Sequence, residues 1–339
     1  MDDERFLTVQ DLFKQSLPEN TKFDINKKTF KRRSTRSNPF TFECDIWKHN
    51  SKKKKRVFVK ITFDSSRSAQ EIEISKVLSK AVKIGISPHF PLNYNDYFGV
   101  KQYEKSGHKI HILITEILRG VEFTKTVFEF DKSKMENAIL QTVFALHVLH
   151  VIGLSHNDFH LNNIMIVKIP KKVKKFEYKM MINGEEKIFS IPNLGFRVKI
   201  FDFDGSVKFK RKLKQKIFSQ EINNPDETSQ HTLFNSSKPD FYRFLRGLSK
   251  LGKTNFIANH VDSLFPDAIE FLKPKEGVSP LHEKYNMLFT YDGTKYKELT
   301  DKDGYKNFIY NVDYFLNSLE MFQENDTKAK RFDTTKLYQ

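Results

Sequence analysis

From Thr41 onward the chain alternates apolar and polar positions. "TFECDIW" and "VFVKITF" carry the period of two that half-buried strands show, and the charged "KHNSKKKKR" between them predicts a turn. Next, "SAQEIEISKVLSKAVKI" sets Ile72, Val77 and Leu78 at helical spacing with Ile74. Ser68 is the expected cap, and Pro88 and Pro91 end the segment. "HILITEIL" reads as a short apolar strand, broken by the glycine of "RGVEF". A long helix is predicted from Met135 to Gly153, with Ile139, Val143, Leu146 and Leu149 or His150 on one face and Gly153 as its stop. "FEYKMMINGEEKIFSI" predicts a hairpin turning at Asn183-Gly184. "RVKIFDFD" reads as another strand, and "PDFYRFLRGLSKL" puts Phe241, Phe244, Leu245, Leu248 and Leu251 on one helical face. Residues 1–30 read as a short helix and polar connector, and the stretch after Leu251 as helix and loop. No internal repeat is present.

A strand-rich part therefore precedes a helix-rich part, which predicts an α+β chain in two lobes. With 339 residues, 38% hydrophobic and 14% aromatic, the chain can build a sizeable core. The net charge of +16 favours acidic partners: nucleic acid, anionic membrane, phosphorylated ligands or acidic proteins. The densest basic runs are "KKKKR", "KIPKKVKK" and "KFKRKLKQK". A single cysteine, Cys44, excludes an intrachain disulfide and a cysteine zinc cluster, and suits a reducing compartment. The start "MDDERFLTVQDLF" is unlike a secretory signal, and no apolar run reaches the roughly 20 residues of a membrane span.

The chemistry concentrates in "SHNDFHLNNIMIV", Ser155 to Val167, where a polar cluster lies between two apolar runs. His156 and His160, four apart, could share a metal on a helix face, but Asn157 stands where the zinc-protease motif needs Glu. The polar residues could also bond local backbone in a structural loop. The third reading is a phosphoryl-transfer loop. His156-Asn157-Asp158-Phe159 is followed by Asn163, five after Asp158, as in the His-Arg-Asp-Leu-x-x-x-x-Asn of protein kinases. There a carboxylate orients the acceptor hydroxyl, and an amide oxygen ligates a hard cation without adding charge.

Further parts fall in order. "VFVKI" places Lys60 in mid-strand among apolar residues, a costly position unless it is paired. The following helix offers Glu71, with Glu73 as the alternative. "VKIFDFDGS" supplies Asp202-Phe203-Asp204 after the loop. On these residues, roughly from 40 to 250, the chain resembles the eukaryotic-type protein kinase superfamily. The hairpin segment before Asp202 is similar to an insertion in kinase-like proteins of large cytoplasmic DNA viruses.

The resemblance implies a bilobal fold binding ATP and Mg²⁺, with transfer of phosphate to Ser or Thr of a protein. It implies an N-lobe over residues 31–116 and a C-lobe over 117–339, with the hairpin insertion near 168–198. Asp158 would be catalytic. Lys60 and Glu71 would serve the phosphates, and Thr115, Glu116 and Leu118 would line the nucleotide site. Asn163 and Asp202 would hold metal, and Asp240 would open the next kinase helix. A host cytoplasm or virion setting follows from the viral likeness.

Several positions depart from the kinase pattern. The phosphate loop, near "STRSNPFTFEC", has no glycine, and Phe58 stands where a small Ala would face adenine. Asp204 replaces the last Gly of Asp-Phe-Gly, and no Ala-Pro-Glu follows. Asn157 replaces the Arg that would pair an activating phosphate, so no activating phosphorylation of the loop after Asp202 is expected; if one occurred, Lys208, Lys210 or Arg211 would be its partner. His160 replaces a Lys, which resembles aminoglycoside and choline phosphotransferases and keeps a small-molecule kinase as an alternative. A catalytically silent kinase fold and a basic nucleic-acid-binding protein are further alternatives. "GLSKLGKT", Gly247 to Thr254, matches the Walker A pattern, but the preceding helical period reads as a helix end rather than a phosphate loop.

Overall fold

A computed structural model describes residues 23–32, 41–48, 54–63, 66–94, 110–182, 184–208, 238–251, 289–291, 296–298 and 329–337. The strand-rich part is a four-stranded antiparallel sheet in chain order: β1 (Phe23–Arg32), β2 (Thr41–Lys48), β3 (Lys54–Phe63) and β4 (Ile110–Glu116). β1 lies where the sequence suggests a connector, so the sheet begins before residue 31. Its register with β2 shifts between Asn26 and Lys31, which breaks the alternation that would have marked it as a strand. Of the glycine-free stretch, residues 34–40 lie between β1 and β2 and outside the described residues, and residues 41–44 open β2.

Phe42, Cys44 and Ile46 of β2 and Val57, Val59 and Ile61 of β3 are buried together. Cys44 is fully buried, and burial pushes its thiol up to about 12. The other face of β3 carries Phe58 and Lys60, since strand side chains alternate. Helix α1 (Ser66–Lys83) follows, burying Ile72, Ile74, Val77 and Leu78 as the spacing predicts. It starts two residues before Ser68, so Ser68 is not its cap. The buried Ser68 hydroxyl instead pairs His111 Nδ1 at 2.6 Å. Gly85, at φ +77, closes the helix, with Ile86 N donating to Ala81 O and Gly85 N to Val82 O.

Short strand β5 (Gly120–Glu122) leads into the single-turn helix α2 (Phe123–Thr126), and helix α3 (Lys132–Ile152) forms the centre of the second part. Asp131 caps α3 by accepting from Lys134 N at 2.8 Å, and Gly153 at φ +81 ends it as predicted. α3 is long and apolar enough to cross a membrane, yet 89% of its most apolar window is buried inside the protein. The run "LQTVFALHVLHVIGL" reads from sequence as a buried helix, and it is one, with burial extending beyond the face that the spacing picks out. Residues from Asn137 to Leu149 are buried all round, which marks a central core helix.

Beyond α3 come β6 (Leu154–Ser155), β7 (Ile164–Lys168), β8 (Lys175–Ile182), β9 (Glu185–Pro192), β10 (Phe196–Ile200) and β11 (Val207–Lys208). β8 and β9 are the predicted hairpin, paired from Ile182↔Glu185 outward, and Asn183 itself is outside the described residues. β7 pairs with β5 and β10, and β6 with β11. Helix α4 (Lys238–Leu251) buries Phe241, Phe244, Leu245 and Leu248 on the predicted face. Gly247 sits inside it, against Leu161, so the start of the Walker-like stretch is helix and not a phosphate loop.

The last part is not only helix and loop. β12 (Phe289–Tyr291) and β13 (Tyr296–Glu298) pair with each other. β14 (Lys330–Asp333) joins β8 in parallel, completing a three-stranded sheet ordered β14-β8-β9.

Candidate active site

β3 and α1 place Lys60 and Glu71 side by side. Both are buried, and Lys60 Nζ donates to Glu71 Oε1 at 2.9 Å. Glu71, rather than Glu73, is thus the residue that reaches the strand lysine. The same Nζ donates to Asp202 Oδ1 at 3.2 Å, across 142 residues of sequence. Burial alone would lower the Lys60 pKa, but Glu71 and Asp202 outweigh it and hold the ammonium well above its ordinary value. Burial pushes Glu71 up to about 7, against the pull of Lys60 and with the repulsion of Asp202.

Asp202 is not on a strand. β10 ends at Ile200, and Asp202 adopts φ +66, uncommon for a residue with a side chain. The turn brings its carboxylate to Lys60, with the side chain 44% exposed. Phe203 is buried against Phe90 and His156. Asp204 is raised in pKa by burial and then by the like charge of Asp202, with Asp158 adding to it.

The polar cluster of the sequence is a loop, with Asn157 at φ +67. Its shape comes from buried Asp240 at the start of α4. Oδ2 accepts from Ser155 Oγ at 2.9 Å and His156 N at 2.6 Å, and Oδ1 accepts from Asn157 N at 2.8 Å. Buried His156 meets Phe201 O at 2.9 Å through Nε2, which fastens the loop to the turn carrying Asp202. Asp158 is exposed, and His160 Nε2 lies 3.6 Å from its Oδ2. Asn163 is buried, and its Nδ2 donates to Asp158 O at 3.0 Å. Gly205 lies beside Asp158, so that a side chain added there would meet the Asp158 Cβ at 3.5 Å.

These donors fit a magnesium ion. The Asn163 amide nitrogen is engaged, which leaves its oxygen as the ligating atom, and Asp202 retains a second carboxylate oxygen. Mg²⁺ takes few protein oxygens and completes its shell with water and phosphate. Among the described residues no group of three or more His, Cys, Asp or Glu is placed to hold a metal, and His156 Nε2 is engaged with Phe201 O.

Thr115 is buried opposite Phe58 in the β3–β4 register. Of the Glu116 backbone groups, the carbonyl oxygen is the one a base would meet, because the N–H is engaged, donating to Leu92 O at 2.8 Å. The Glu116 carboxylate pairs with buried Lys199 of β10, which also donates to Phe90 O at 2.6 Å. Leu118 is half-buried just past β4. The Lys199–Glu116 pair was missed from the sequence, although a lysine inside "RVKIF" carries the same signal as Lys60. Lys208 lies in β11, while Lys210 and Arg211 are outside the described residues.

No family model matches the chain. A protein of Acanthamoeba polyphaga mimivirus, provisionally named a serine/threonine-protein kinase, is 25% identical over 224 residues, covering 61% of this chain. The chain spans about half the length of that relative, 46%. Among solved structures, the autoinhibited serine kinase domain of titin shares 15% identity at a TM-score of 0.35, covering 56% of this chain and 47% of that one. The kinase of Cydia pomonella granulovirus shares 17% at 0.34, covering 61% and 58%. At those TM-scores the structural likenesses add no argument to the geometry above. By sequence, the chain is similar to a viral kinase-like protein.

Proposed function

We propose that this chain is an ATP-dependent protein kinase that transfers a phosphoryl group to Ser or Thr hydroxyls. The observation that carries the reading is Lys60 held by both Glu71 and Asp202. A strand lysine, a helix glutamate 11 residues on and a turn aspartate 142 residues away meet at one ammonium beside the loop of Asp158. In this reading Lys60 neutralises phosphate oxygens, and Glu71 fixes its direction. Asp158, exposed on a loop clamped by Asp240, orients the acceptor hydroxyl and takes its proton. Asn163 and Asp202 hold Mg²⁺, which screens phosphate charge when bound. The substrate is a protein, with acidic sequences favoured by the net charge of +16.

The contact between His160 and Asp158 favours a second reading, a small-molecule phosphotransferase. A radiolabelled-ATP assay with acidic and basic protein panels and with aminoglycoside and choline acceptors separates the two. Transfer to protein that disappears in Asp158→Asn supports the first reading. Transfer only to small alcohols supports the second. Nucleotide binding with no transfer to any acceptor would leave a silent kinase fold.

A further inference from the structure

The end of the chain returns to the helix that carries Glu71. β14 runs parallel to β8, pairing Phe332↔Tyr178 and Asp333↔Lys179. Arg331 reaches the buried carboxylate of Glu177. Phe332 is buried against Phe176 and Tyr178, with ring centroids at 6.1 and 5.4 Å. The turn Thr334–Leu337 then packs on β8 and α3, burying Thr334, Thr335 and Leu337. Thr334 donates its hydroxyl to Lys179 O at 3.0 Å.

The same few residues grip the end of α1. Asp333 N donates to Gly85 O at 3.0 Å, and Lys336 Nζ donates to Ile84 O at 3.3 Å. Gly85 and Ile84 close α1, where outward-facing carbonyls need donors and the helix dipole favours a cation. Tyr178 joins the other side. Its ring stacks on Phe144 of α3 at 4.2 Å, and its hydroxyl meets His89 Nε2 at 3.0 Å, four residues past Gly85. The tail, the hairpin and the C-terminal end of α1 are therefore packed as one unit. Nothing in the local sequence of α1 requires a partner from 250 residues away.

We infer that the segment Lys330–Leu337 is a positioning strap, with Arg331 and Phe332 as its anchors, which fixes α1 and through it the Glu71–Lys60 pair. α1 is a rigid rod of 18 residues, so a tilt at its C-terminal end moves Glu71 relative to β3. Glu71 has little tolerance for this, because a buried carboxylate separated from its ammonium takes up a proton and no longer directs Lys60. The inference rests on the proposed kinase reading only where it concerns nucleotide.

The test uses the full chain carrying Phe332→Ala, Arg331→Glu, or the charge swap Glu177→Arg with Arg331→Glu. Backbone hydrogen exchange is read for α1 and, separately, for β8 and β9, and affinity is read with a fluorescent ATP analogue. The single variants should exchange α1 amides about tenfold faster, a loss of about 1.4 kcal/mol of local stability. They should also weaken the analogue several-fold, and the swap should restore both readings. Faster exchange confined to β8 and β9, with α1 unchanged, would overturn the inference. So would swap protein that exchanges like Arg331→Glu while its thermal transition matches wild type. If α1 loosens as expected but wild type binds no ATP analogue, the strap stands and the kinase reading falls.

Discussion

Replacing Asp240 by Ala should release the loop that carries Asp158 while leaving the core intact. The wild-type carboxylate serves three donors: Ser155 Oγ, His156 N and Asn157 N. All belong to buried residues, so each donor left without a partner costs about 1–3 kcal/mol. Part of that is offset, because burial also disfavours the Asp240 charge and raises its pKa. A net loss of about 3 kcal/mol is expected, which lowers the melting temperature by about 4 °C for a chain of 339 residues. The effect on rate is separate. Asn157 is held at φ +67 by the bond from its N–H to Asp240, and Asp158 is the next residue. Once that bond is gone, Asn157 can relax toward negative φ and Asp158 is displaced. A displacement of about 1 Å at a reacting group lowers turnover about a hundredfold. Asp240→Asn should fall between, since it retains one acceptor oxygen but turns an amide against a donor. Differential scanning calorimetry and steady-state phosphotransfer on the same samples check both effects. A melting temperature within about 2 °C of wild type together with unchanged turnover would refute the reasoning.

The acid limb of stability should depend on His89. This buried imidazole, bonded to Val198 O and Tyr178, is depressed by burial to about 3 from 6.5. Its contribution is complete above pH 6.5 and is lost as pH falls toward 3, by up to about 4–5 kcal/mol. Urea titrations from pH 7 to 4 should show a shallower decline in His89→Gln, and parallel declines would exclude the assignment. Lys60→Met should lower turnover by about 10²–10³ with a modest stability loss, because Glu71, already raised to about 7, can take a proton. Circular dichroism melts and phosphotransfer rates test this, and a variant that fails to fold contradicts it. In wild type, activity should rise with pH through about 7 as Glu71 ionises and pairs, and Glu71→Gln should be low at all pH with no such limb. Asp202→Asn should shift the Mg²⁺ requirement upward more than Asp204→Asn, as read by Mg²⁺ titration of rate. The reverse order would make Asp204 the ligand.

What the sequence made legible depended on whether a residue's constraint was local. Lys60 stands out because a lysine between Val59 and Ile61 needs a partner, and Asp158 and Asn163 stand out by their spacing. Gly153 ends α3 because an αL stop is a property of a few neighbouring residues. The clamp by Asp240 was visible only as a helix start, since its donors lie more than 80 residues away. β14 could not be read at all. Its four residues, Lys-Arg-Phe-Asp, form a strand only because β8 offers an edge, Glu177 a charge and Tyr178 a ring. β1 was obscured by its bulge, and Ser68 was misplaced because its hydroxyl answers His111 rather than its own helix.

The buried thiol of Cys44 gives the chain an experimental convenience. It is the one cysteine in 339 residues, fully buried and far less acidic than a free thiol. Maleimide reagents attack thiolate at accessible sulfur, so the folded protein offers them no fast target. A cysteine introduced at an exposed position such as Glu185, beside the hairpin turn, can then carry a dye with no background to remove. A second one at Ala329, just before the strap, would place a partner dye there, and energy transfer between the two would report docking of the tail in single molecules.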